Sequence, residues 1–417
     1  MRISKAIAAG VMAVTLALAS CGDFKPHPVT WNDIARTIPS NPDYIVSVNP
    51  RMVTDTVLNN IWATPDVIEL VKVGLDLDTV KPSHFVVVSI SGATYVTWPL
   101  PDPRSIAKKA ENWDPASLNN TVDGRLLVRG EACLVLSSTQ AWVVNSRHGE
   151  NYVNDLLSAA MNTKAEHVVP YATCITSVPA TLNAVMPYDG KYFYISLNHE
   201  DGLLRTDVDA LSKSGGRLEL MSGLGRLPVE FLDEASPVNP FAAISVDKGH
   251  LPEVIKWVAK LTHDKKAVLA ANIVGPSFED VSGTVIARWN NDAIELELPY
   301  PTHKAAREAS LHLKTLFRAA GVKMEVEARH TDVVLTARYD SNLPPIDFRT
   351  ATPHEHTQTE NPSAVAFARF DIAGHDPVDL YFELAPTHAR LQLDFNEGAH
   401  NLAECLEIIK KVVFDVF

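Results

Sequence analysis

The chain has 417 residues, 46% of them hydrophobic and 21% charged, with a formal net charge of −13. That composition is typical of folded domains and excludes intrinsic disorder, and the length exceeds what a single core usually serves, so at least two domains are expected. The basic pairs Lys108-Lys109, Lys265-Lys266 and Lys410-Lys411 are scattered through an acidic chain, which excludes nucleic acid as a partner, because phosphate-backbone binding needs clustered Lys and Arg.

Residues 1–20 read as a secretory signal. Arg2 and Lys5 open it, an apolar stretch runs from Ala6 to Ala19, and Leu18-Ala19-Ser20-Cys21 closes it. The stretch is shorter than the roughly 20 apolar residues of a spanning helix. Leu18-Ala19-Ser20-Cys21 resembles the lipobox of bacterial lipoproteins, with a branched apolar residue, two small residues and a cysteine. The resemblance implies cleavage before Cys21, acylation of its thiol and attachment to a membrane through the lipidated N-terminus, each buried methylene contributing about 0.8 kcal/mol. Gly22 follows in place of the aspartate that in many lipoproteins signals inner-membrane retention, so the cell outer membrane is expected, with its face unassigned. Residues 21–30 read as a short tether, and the mature chain carries 35 basic against 50 acidic side chains.

Beyond the tether an internal duplication is expected. Asn41-Pro42 opens the alternating strand Tyr44 to Val48, and Asn239-Pro240 opens Phe241 to Val246, 198 residues later. Strands are expected from His84 to Ile90 and Thr94 to Trp98. Leu100-Pro101-Asp102-Pro103 then leads into a helix over Arg104 to Ala110, and Leu298-Pro299-Tyr300-Pro301 leads into another from Thr302, again with an offset of 198. Further strands are read at Arg125 to Arg129, Cys133 to Leu136 and Ala141 to Asn145. Val169-Pro170 and Asn361-Pro362 each precede an apolar run read as a strand. Each is followed by a hairpin: Tyr192 to Leu197 with Leu203 to Val208 in the first half, and Leu380 to Leu384 with Ala389 to Phe395 in the second. Met221 to Gly225 is read as the glycine-rich end of a helix. In the last segment Leu402, Cys405, Leu406, Ile409, Val412, Val413 and Val416 form a helical core-facing stripe. Consecutive strands without regular β-α-β alternation indicate an α+β class: two tandem duplicated domains, 31–235 and 236–417, each mainly antiparallel sheet with helices packed on one face.

Local sequence points to no catalytic residue, no cofactor-binding residue and no metal ligand. His354-Glu355-His356, in the irregular stretch Ser341 to Glu360, lacks the His-Glu-x-x-His spacing that sets two imidazoles on one helical face. Asp76 and Asp78 alternate with Leu75 and Leu77, as in a half-exposed strand or turn. No nucleophile elbow, phosphate loop or dinucleotide fingerprint occurs. Cys133 and Cys174 lie in apolar runs and leave two states open, a disulfide or two buried thiols. Trp31, Trp62, Trp98, Trp113 and Tyr300 are the aromatics to inspect for a glycan platform, against the commoner fate of aromatic burial.

The lipobox, the tether and Ile38-Pro39-Ser40-Asn41-Pro42-Asp43-Tyr44-Ile45-Val46-Ser47-Val48-Asn49-Pro50 together resemble the large, uncharacterised cell-envelope lipoproteins of gut Bacteroidetes, which open the mature chain on an Ile-Pro phrase before an apolar strand. The resemblance implies a domain of unknown function and transfers no catalytic residue. The favoured reading is a non-catalytic binding or assembly module for a glycan, peptide or membrane-protein partner. The alternative is an envelope hydrolase whose site is dispersed in sequence.

Overall fold

The computed structural model describes residues 30–38, 41–49, 52, 84–90, 93–99, 114–115, 124–129, 132–137, 140–145, 167–228, 241–261, 265–289, 293–338, 362–370, 376–395, 399 and 401–416. The signal, Cys21, nearly all of the tether, Asp76, Asp78, the helix expected over Arg104 to Ala110, and His354-Glu355-His356 lie outside them. The architecture is mostly antiparallel sheet with a few helices, an α+β arrangement. The chain divides into two compact units. One comprises residues 1–199, 208–218 and 402–410, and the other 200–207, 219–401 and 411–417.

In the first unit, helix α1 (Trp31–Arg36) starts at a capping box in which Thr30 and Asp33 satisfy each other's backbone donors. Strand β1 (Tyr44–Val48) is paired on both sides, with β2 (Phe85–Ile90) and with β8 (Leu182–Tyr188). β2 continues to β3 (Ala93–Pro99), and β3 pairs with β7 (Gln140–Asn145). β7 pairs with β6 (Ala132–Ser137), β6 with β5 (Gly124–Arg129) and β5 with β4 (Asp114–Pro115). On the other side, β8 joins residues of β9 (Lys191–Glu200) through a two-residue Asp189-Gly190 turn, both in the left-handed region (φ 49° and 73°). That Asp-Gly pair is the usual chemistry of a tight hairpin.

Helix α2 (Val169–Thr176) occupies the segment expected to be a strand. Val168 is extended and Pro170 sits in the first turn, where its missing N–H costs nothing and its fixed φ favours the helix. Pro170, Tyr171, Cys174 and Ile175 form its buried face, and the strand comes only at β8. α2 packs on α1, β1 and β8. Cys174 is a free, fully buried thiol in that helix, donating to the Asn183 carbonyl at 3.4 Å, and is not half of a disulfide. Strands β10 (Leu203–Leu211) and β11 (Arg217–Leu218) complete this part of the chain order.

The second unit is centred on β12 (Phe241–Val246), which pairs with β13 (Gly283–Trp289) and with β17 (Ala364–Phe370). β13 continues to β14 (Ala293–Pro299), β14 pairs with β16 (Asp332–Arg338), and β16 with β15 (Glu325–Arg329). β17 leads to β18 (Val378–Ala385), and β18 to β19 (His388–Asp394) through the two residues Pro386-Thr387. Helices α3 (Leu251–Leu261), α4 (Lys265–Val274) and α5 (His303–Ala319), with the 3₁₀ turn Gly275–Phe278, cover one face. Thr302 caps α5 by accepting from the Ala305 N–H at 3.2 Å. Val246, Val285, Leu298, Leu335 and Leu313 lie in the core beneath these helices, whereas Leu227, Ala243, Val365, Phe367 and Tyr381 cluster on the opposite face. In the terminal helix α6 (Leu402–Val416), whose residues 402–410 belong to the first unit, the buried line runs Leu402, Cys405, Ile408, with Leu406 and Ile409 only partly covered, so the stripe turns slightly from its expected course.

Met221 to Gly225 does not end a helix. It runs as irregular backbone alongside β12, where Gly225 N–H donates to the Ser245 carbonyl and Asp247 N–H to the Gly223 carbonyl, both at 2.9 Å. Gly223 has φ 72°, and a β-carbon there would stand 1.9 Å from the His250 ring. The glycine is required by close approach as well as by conformation. Gly249 has φ 85° and open space around it. Gly249→Ala is therefore expected to cost about 1 kcal/mol and Gly223→Ala about 3 kcal/mol or more, read as shifts in urea midpoint at constant slope. Equal losses would contradict the packing account.

Candidate functional site

On the second unit's sheet, the face away from the helices changes character along its width. It is apolar where β12 and β17 contribute Ala243, Val365 and Phe367. Period-two alternation then brings Asp379, Tyr381 and Glu383 of β18, and His388, Arg390 and Gln392 of β19, to the same side. Tyr381 stands opposite Gln392, and Glu383 opposite Arg390. Arg205 and Asp207 of β10, which belong to this unit, complete the group.

Asp207 is its electrostatic centre. One oxygen accepts from Arg205 Nε at 2.7 Å, and the other accepts from Arg390 Nε at 2.7 Å and faces His388 Nε2 at 3.2 Å. Asp207 is 13% exposed and Arg390 11%. Burial alone would raise the Asp207 carboxyl, but hydrogen bonds and charge from Arg390 and Arg205 together outweigh it and hold the group below its ordinary value. Beside this centre, Arg369 pairs with Asp379 at 2.9 Å.

Glu383 is the deepest charged residue of the face, 1% exposed. Tyr381 donates its hydroxyl to one carboxylate oxygen at 3.1 Å, and the other oxygen is buried without a hydrogen-bond partner, as is the side-chain oxygen of Gln392. A buried carboxylate half satisfied in this way costs stability. Two buried acceptors, a phenol and a guanidinium thus share one side of the sheet.

The residues singled out from sequence are dispersed. Trp98 and Tyr300 are core residues, Trp98 packing edge-on to Phe85 and Tyr300 donating its hydroxyl to the Ser277 carbonyl at 3.0 Å. Neither is available as a binding platform. Trp31 stacks on His84 at 3.7 Å, and His84 in turn contacts the Ile175 carbonyl at 2.6 Å, which makes the pair a structural clamp between α1 and α2. Trp62 and Trp113 lie outside the described residues. Ser277 Oγ and His312 Nδ1 are 3.5 Å apart on the surface, beyond the about 2.6–3.2 Å at which a base activates a nucleophile. Among the described residues no group of three or more His, Cys, Asp or Glu side chains is arranged to hold a metal. The Asp207 and Glu383 groups were missed because nothing local encodes them; only their placement on alternating, polar-studded strands hinted at a face.

No protein-family model, no curated protein and no solved structure matches this chain.

Asp207→Asn is expected to destabilise the protein by about 2–3 kcal/mol at neutral pH, because buried Arg390 loses its counter-charge. A double-mutant cycle with Arg390→Met should return a coupling of about 1 kcal/mol or more. The Asp207 carboxyl is lower in the folded than in the unfolded chain, so its contribution is full above the unfolded value near 3.8 and is lost as pH falls through the folded value. Asp207→Asn should accordingly flatten the acid limb of the stability–pH curve.

Proposed function

We propose that the chain is a lipid-anchored cell-envelope protein, held at the outer membrane through acylated Cys21, that binds a glycan, peptide or membrane-protein partner and does not transform it. The observation that carries the anchor is the sequence Leu18-Ala19-Ser20-Cys21 at the end of a short apolar stretch with basic residues before it. Among the described residues no helix is long and apolar enough to cross a membrane, a statement that leaves β-barrels aside. The binding role draws on the sheet face described above, whose polar groups are engaged with one another or left as buried acceptors instead of being paired as nucleophile and base.

The same reading holds that the halves arose by duplication. Its support is a shared pairing scheme. The order β9-β8-β1-β2-β3-β7-β6 has its counterpart in β18-β17-β12-β13-β14-β16-β15. Register agrees as well. Tyr44 faces Ser89 and Val48 faces Phe85, while Ala242 faces Ala287 and Val246 faces Gly283, every residue displaced by the same 198 positions. Tyr192 and Tyr381 fall at equivalent places, opposite Pro187 and Phe367, whereas Tyr194 stands where the second half has Glu383. The charged face draws on both halves of the sequence, Arg205 and Asp207 coming from the first and Glu383, His388 and Arg390 from the second.

Cells supplied with an alkyne-tagged fatty acid should label the wild-type chain, and Cys21→Ala should abolish the label and leave an uncleaved, larger precursor. Label surviving in Cys21→Ala would overturn the anchor. Crosslinked recovery from native envelope should yield a stoichiometric partner that Arg390→Ala with Glu383→Gln loses. Recovery unchanged in that variant would count against the face.

A further inference from the structure

We infer that the outer face of α3 and α4 is a second membrane-contact site that rests on the surface of an anionic bilayer. Both helices pack on each other and on the 3₁₀ turn that follows, and α3 sends Leu251, Val254 and Ile255 into the core. Amphipathic helices normally expend their apolar residues on that side. Here large apolar side chains are exposed as well, beside Glu253 and Lys260 on α3. Trp257 is 46% exposed, Leu269 61% and Ile273 55%. Leu269 and Ile273 are four residues apart on one face of α4, with exposed Lys265 one turn before them, and on α3 exposed Lys260 follows Trp257 at three residues.

Charge selects the occupant. Residues 251–274 carry four lysines, Lys256, Lys260, Lys265 and Lys266, against two acids, Glu253 and Asp264, in a chain whose net charge is −13. The sign is inverted locally, at the apolar patch. Lysine is depleted from the cores of protein–protein interfaces, whereas tryptophan and branched apolar residues flanked by lysine are what an interfacial helix presents to anionic headgroups: the indole sits at headgroup level and the ammonium groups stay in water. Lysine stems can lie along apolar surface while their heads reach phosphate. The identity of the membrane rests on the lipid-anchor reading above; the contact itself does not.

The full-length chain is mixed with vesicles of phosphatidylethanolamine and phosphatidylglycerol, in roughly three-to-one proportion, whose acyl chains carry bromine, a short-range quencher of tryptophan. Quenching is expected for wild type, with a component that Trp257→Phe removes. Lys260→Glu with Lys265→Glu should weaken that component about tenfold, as should raised salt or pure phosphatidylcholine vesicles. All of these side chains are exposed, and melting temperatures unchanged to about 2 °C verify that the variants fold. Quenching identical in wild type and Trp257→Phe would overturn the inference. Concentration-dependent self-association lost on Ile273→Ser, without that quenching component, would overturn it in favour of a second copy. If Cys21 is not acylated yet the Trp257 component persists, the anchor falls and the contact stands; if acylation is seen and the component is absent, the reverse holds.

Discussion

Each unit depends on a strand that joins sequence-distant partners along its two edges. β1 lies between β2 and β8, and β12 between β13 and β17. In both cases the flanking partners are far away in sequence on at least one side, so closing the loops that bring them together is the entropic cost the rest of the sheet must offset. Burial supplies that offset. Ile45 and Ser47 in β1 match Ala243 and Ser245 in β12 as buried residues on the same alternating side, and β2 is buried on both faces. A one-residue slip of either central strand would turn these positions outward and break two ladders at once.

With the central strands fixed, the faces take different work. In the second unit the helix side is a conventional apolar core, closed by α5 with its Thr302 cap and by Leu313, which is fully buried. The other side grades from Val365 and Phe367 to Tyr381, then to Glu383, Arg390 and Asp207. A hydrogen-bonded ladder beneath these charges holds their geometry. Asp207 answers two arginines and a histidine with one carboxylate, so the balance of the group is positive whenever Glu383 is considered apart from it.

Much of this was legible in sequence, for identifiable reasons. Apolar runs such as Tyr44 to Val48 and the alternating Ala389 to Phe395 announce themselves as strands, and Pro386-Thr387 marks the turn before the second, whereas β8 and its Asp189-Gly190 turn went unread. α2 was misread because Val-Pro-Tyr-Ala-Thr-Cys-Ile-Thr is rich in β-branched residues; tertiary packing of its buried face overrides that propensity, and Pro170 in the first turn was the signal passed over. Gly223 and Gly225 looked like a helix terminus because glycine serves several causes, and only the His250 ring and the Ser245 hydroxyl beside them reveal which one applies. The Asp207 group had no such trace: Arg390 reaches it from 183 residues away, and no spacing rule links the two. Trp98 and Tyr300 take the burial that is the commoner fate of aromatic side chains.

The buried thiols have a use that packing alone does not suggest. Cys174 is sealed in α2, and Cys405 in α6; burial pushes each up to about 12, aided at Cys405 by the charge of Glu404 and opposed at Cys174 by a backbone hydrogen bond from Ser47. Both thiols are thus held protonated at neutral pH and shielded from solvent, so alkylating reagents meet them only during transient openings. The two sulfurs are thus built-in clocks at separate points of the chain, each ticking at the rate at which its own helix comes loose.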